Sequence, residues 1–162
     1  MLGSDYDISL GLAPVDLAAA AATGLRQYMG NLDYLTVVFV GAASAAAEGP
    51  VLTLKQHTAS TGGTTANMAT ITEFYRKSET TLDNDEQWAK VTQAAGATVT
   101  GQAQVQQMLA FVVRPEDLSA GNAYVSVDIA DVGVGPQPGV VLYLLSGVSP
   151  RGIPESMPVG LR

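Results

Sequence analysis

Cysteine is missing from this chain, which excludes disulfides, thiol nucleophiles and thiolate-bound zinc. Charge is scarce too: Asp, Glu, Lys and Arg supply 14% of the 162 residues, where an ordinary soluble domain carries about 25%. The eight basic residues are scattered, only Arg76 and Lys77 adjoin, and the net charge is −7. Nucleic-acid binding needs a clustered positive surface to displace counterions, so no direct contact with nucleic acid is expected. Long hydrophobic runs are missing as well. The alanines at 18–22 are too few to cross a bilayer. Asp5 and Asp7 stand where a secretory leader needs positive charge, and Pro14 and Asp16 break the apolar stretch. The expectation is a soluble chain without an export signal and without a membrane partner.

What remains is apolar and uncharged. Apolar types make up 47% of the residues, with much Ala, Gly and Thr. Such a surface loses its water cheaply, which suits a protein held against neighbours. Seven segments carry strand chemistry, namely 34–40, 51–56, 70–76, 88–93, 105–113, 123–130 and 140–145. In the second, Leu52, Leu54 and Gln56 alternate with Val51, Thr53 and Lys55; in the sixth, Val125, Val127 and Ile129 alternate with Tyr124, Ser126 and Asp128. This period-two pattern marks half-exposed strands. The nearly unbroken apolar runs at 34–40 and 140–145 predict central strands covered on both sides. Turn signals separate the segments, including a polar loop over 58–65 and an Asp83-Asn84-Asp85 tip.

The expected architecture is all-β: one sandwich, jelly-roll or Greek-key like, of about seven to eight strands with extended termini. An Ala-rich helix or turn is expected over 15–22, and a single short turn at 115–118. Residues 1–14 read as an N-terminal arm, 15–146 as the sandwich domain and 147–162 as an extended tail. In the tail Pro150, Pro154 and Pro158 recur every four residues and forbid a regular helix. Together with Ile153, Met157, Val159 and Leu161 they are the candidate partner contacts.

Candidate chemistry is thin. His57 is the lone histidine and falls at a strand end, where a solvated ring is expected; no G-x-S-x-G context accompanies it. Asp83, Asp85 and Glu86 lack the glycine and the later Glu of a calcium loop and read as a solvated turn. Trp88, Tyr75 and Tyr124 offer aromatics for sugar stacking, although Trp88 is expected in the core. Gly62-Gly63 and Gly133-Val134-Gly135 lack the strand and helix context of nucleotide loops. No catalytic residue, cofactor site or metal site is expected.

Several motifs recur together over 15–146. They include Val15-Asp16-Leu17-Ala18-Ala19-Ala20, Leu52-Thr53-Leu54-Lys55-Gln56 and Phe74-Tyr75-Arg76-Lys77. Trp88-Ala89-Lys90-Val91-Thr92-Gln93, Ser126-Val127-Asp128-Ile129-Ala130-Asp131 and Leu142-Tyr143-Leu144-Leu145-Ser146 follow in order. In this order and spacing the chain resembles small virion structural proteins of tailed bacteriophages, notably head decoration or cement proteins. The resemblance spans about four-fifths of the chain and implies a non-enzymatic capsid component on the virion exterior, made in the host cytoplasm. It further implies contact with the major capsid protein and self-association, with a homotrimer favoured. A tail, fibre or connector subunit and a carbohydrate-binding module are the alternatives.

Overall fold

Alternating apolar side chains sort the chain into two layers. The computed structural model describes residues 6–45 and 47–147, and among these eleven strands form two antiparallel sheets. In chain order they are β1 (Tyr6–Asp16), β2 (Gln27–Tyr28), β3 (Tyr34–Gly41), β4 (Val51–His57), β5 (Thr65–Asn67) and β6 (Ile71–Glu79). Then come β7 (Ala89–Gly96), β8 (Thr98–Thr100), β9 (Gln106–Val113), β10 (Tyr124–Ile129) and β11 (Pro138–Ser146). The larger sheet has the order β1-β11-β3-β9-β6-β7; the smaller has β2-β10-β4-β5, with β8 also on β4.

Leu35, Val37 and Phe39 of β3, Val141, Tyr143 and Leu145 of β11, and Leu109 and Phe111 of β9 point inward from the larger sheet. They meet Leu52 and Leu54 of β4 and Val125, Val127 and Ile129 of β10 in one core, which makes the molecule a β-sandwich as expected. Tyr143 ties the layers together: its hydroxyl accepts from Val127 N–H at 3.1 Å and donates to the Leu25 carbonyl at 3.2 Å. Burial in this apolar setting pushes the phenol well above its ordinary range. Gly11 is required beside it, because a Cβ there would stand 2.7 Å from the Tyr143 ring.

All seven expected strands are present, and β1, β2, β5 and β8 are additional. The N-terminal arm needs correction. Residues 6–14 belong to β1 and pair with β11 through bulges at Leu10/Leu12 and Leu12/Val15. Of the helix or turn expected over the Ala-rich segment, the turn is what forms. Residues 17–19 make a turn, because long-range bonds claim the groups a helix would use. The Asp16 carboxylate accepts from Ala18 N–H and Gln137 N–H, Leu17 N–H donates to the Gln137 carbonyl, and Val132 N–H donates to the Leu17 carbonyl. The N–H groups of Gln137 and then Ala18, donating to it, hold the Asp16 carboxyl below its ordinary range. The short turn near 115 is a 3-10 helix over Pro115–Asp117.

Candidate functional site

The one histidine lies in a polar row on the smaller sheet, and it is buried rather than solvated. Register places His57 opposite Tyr124 on one side and Thr65 on the other. Its Nε2 bonds Ser126 Oγ at 2.8 Å and its Nδ1 bonds Thr65 Oγ1 at 2.9 Å. Arg26 pins the neighbouring loop through the Ala59 and Gly62 carbonyls at 2.8 and 2.7 Å, so the 58–65 loop is tethered. Serine, histidine and aspartate thus sit on adjacent strands without forming a hydrolytic relay. Asp128 accepts from Gly24 N–H at 3.0 Å and pairs with Lys55 at 2.7 Å, leaving the imidazole between two hydroxyls. Ser126 is buried beside it, so no substrate atom can reach the hydroxyl. The row ties β4, β5 and β10 together.

The acidic turn stays a turn. Asp83 N–H donates to Glu86 Oε1 at 2.8 Å, and Asn84 adopts the left-handed conformation at φ 82° that asparagine tolerates. Carboxylates of Glu79, Asp85 and Glu86 come within 4.8 Å of one another on the surface. Glu79 enters this group from the end of β6, while Asp83 does not join it.

Trp88 is a second correction: it is 44% exposed, just before β7, with Lys77 Nζ 5.6 Å from its ring centroid. The Arg76↔Ala89 pair puts Lys77 and Trp88 side by side one step further on, so Trp88 faces outward with Tyr75. Tyr124 is on the other sheet, tilted against Tyr28 with centroids 5.3 Å apart. The three aromatics therefore do not form a single platform.

The feature that stands out is the outward face of the larger sheet. Cross-strand register lines up Leu10, Leu142, Val38, Ala110 and Tyr75 in one row. The next row holds Ile8, Leu144, Thr36 and Val112, and a third holds Val140, Val40, Met108 and Lys77. Ile8 and Val112 are each 50% exposed. With strands about 4.8 Å apart and rows about 6.8 Å apart, the apolar part covers on the order of 300–400 Å², a size at which exposed patches are usually functional. The continuous apolar runs of β3 and β11 predicted cover on both sides; among the described residues only the inner side has it. That expectation is corrected, and the uncovered face is what the sequence reading missed. The signal was present in the runs themselves, since a strand apolar on both faces requires a second layer from somewhere.

One edge of this face is cleft. The β6–β9 ladder ends at Tyr75↔Ala110, yet β6 starts earlier at Ile71 and β9 runs on to Val113. Between the diverging strands lies a groove of about 390 Å³ lined by Ile71, Glu73, Tyr75, Val112 and Arg114, among others. The candidate contacts Pro150, Ile153, Pro154, Met157, Pro158, Val159 and Leu161 lie outside the described residues. No helix among the described residues is long and apolar enough to cross a membrane. No family model, curated protein or solved structure matches the chain.

Proposed function

We propose that this chain is a structural component of a tailed-phage particle that decorates the capsid, docking on major capsid protein subunits and acting without catalysis. The observation that carries the reading is the apolar outward face of β1, β11, β3 and β9 in the larger sheet, with its rows through Leu142, Val38 and Ala110. A patch of that size alone is about half of a standard partner surface, so each contact is weak and holds through repetition. A shell offers many equivalent sites, and self-association of the chain, with a trimer favoured, multiplies them. The resemblance of residues 15–146 to head decoration proteins supports the same reading.

The test is co-sedimentation of the purified chain with empty capsid shells of the phage that encodes it. Stoichiometric pelleting is expected for wild type, and loss of it for Leu142→Lys, which puts a charge in the middle of the face. Absence of wild-type protein from the pellet overturns the reading in favour of a tail, fibre or connector part. The exposed pair Tyr75 and Trp88 keeps a second reading, a carbohydrate-binding module. It predicts a rise in melting temperature with a glycan, by linkage to the folded state.

A further inference from the structure

The larger sheet has two edges, and they differ. β1 is blunted along its length: Pro14 supplies no N–H, bulges interrupt it at Leu10/Leu12 and Leu12/Val15, and the Leu25 N–H already donates to the Gly11 carbonyl at 2.6 Å. β7 carries no proline, and among the described residues it pairs with β6 alone, in regular register from Ala89 to Thr92. Its other edge therefore holds a row of backbone N–H and carbonyl groups open to a further strand. Lys90 is the one charged residue of β7, and Glu73 on β6 neutralises it.

The smaller sheet has its matching edge on the same side. β4 takes β10 on one edge and β5 and β8 on the other, β8 packs against β6, and β7 leads into β8 through Ala97. Strands β5, β7 and β8 thus form one side wall of the sandwich. No Asp, Glu, Lys or Arg occurs in 58–72 or in 91–113, the stretches that contain β5, β8 and most of β7. For a chain of net charge −7 this matters, because a surface that mates with its own copy meets its own charges. An uncharged wall escapes that repulsion. The 8 residues of β7 span about 27 Å, and two sheets with their side chains are about 20 Å deep. Each copy then contributes on the order of 500 Å², about 1,000 Å² for the pair, which meets the lower bound for a specific interface.

We propose that two copies of this chain join through β7, antiparallel about a twofold axis at Thr92, so that the two larger sheets continue into one. On this register Thr92 faces its own counterpart, a favourable cross-strand pair, and Lys90 faces Ala94 of the partner subunit. The two Lys90 side chains stay about 14 Å apart. The inference goes beyond the decoration reading: it uses an edge rather than the outward face, needs no shell, and calls for pairs where the resemblance favours trimers. Paired copies present two outward faces side by side, which serves attachment to a repeated lattice.

Sedimentation velocity of the full chain from about 1 to 200 µM, without shells, is the first test. A monomer–dimer equilibrium is expected, and Thr92→Lys, which sets like charges opposite each other, should weaken it about fivefold. A chain that stays monomeric over this range, one that forms trimers, or a Thr92→Lys variant that pairs as tightly as wild type overturns the proposal. The absence of native cysteine allows a check of the register. With oxidised glutathione, Thr92→Cys should form an interchain disulfide about tenfold faster than Val134→Cys, each bond reducing one glutathione disulfide to two thiols. Val134 is 88% exposed in the loop before β11, so random collision favours the control, and equal rates overturn the proposal. None of these outcomes touches the decoration reading, which stands or falls on pelleting with shells.

Discussion

His57 is held between Ser126 and Thr65 hydroxyls, with no carboxylate bonded to its ring. Burial and then the nearby Arg26 charge lower its pKa from the ordinary 6.5; Asp128 opposes this and Lys55 adds to it. The folded chain thus prefers the neutral ring, while the unfolded chain takes up a proton near its ordinary value. The stabilisation is fully present above pH 6.5 and is lost as pH falls through the folded-state value. Thermal melts should show a lower Tm at pH 5 than at pH 7.5, with a smaller difference for His57→Gln, which keeps polar contacts but does not titrate. The same pH dependence in both proteins would contradict this account. None of it was legible locally, because Ser126 is 69 positions away and only register brings it to the ring.

Strands repeat the lesson one level up. Alternation in β4 and β10 correctly separated Leu54 and Val127 from their outward neighbours, since a period of two needs no knowledge of the partner strand. Leu54→Asp should remove more than about 4 kcal/mol by burying an unpaired charge. Val112→Asp, on the outward side of β9, should cost only about 1 kcal/mol, mostly through poor strand preference. Urea denaturation of the two variants checks this contrast, and similar midpoints would mean the facing is wrong. The short strands β2, β5 and β8 escaped notice because two or three residues carry no period; they are strands only by virtue of β10 and β4 beside them. Likewise the alanines after Leu17 favour a helix locally, but the Leu17 N–H and carbonyl are bonded to the Gln137 and Val132 backbones instead.

For the whole molecule, the path of the chain matters more than any element. Only β4–β5 and β6–β7 join strands consecutive in sequence, and the chain otherwise steps between sheets, as at Gly96 to Thr98. Pairs such as Ser9↔Tyr143 close very long loops. Folding should therefore take milliseconds to seconds, as for other domains dominated by non-local contacts. Stopped-flow refolding followed by far-ultraviolet circular dichroism tests this, and complete refolding within microseconds would contradict it. The same topology leaves the outward rows of β1, β11, β3 and β9 side by side, so one continuous apolar face emerges from four strands scattered along the chain.

The residues by themselves determined the all-β class, the place of seven strands, the inward side of each alternating strand and the lack of thiol chemistry. These depend on near neighbours and on composition. Tertiary structure alone decided that residues 6–14 join a sheet, that His57 is buried, that Trp88 faces outward and that an apolar face has no cover among the described residues. Each of these depends on which distant strand lies alongside. Hydrogen-bond register and desolvation set that choice between residues up to more than a hundred positions apart, and no local pattern encodes it.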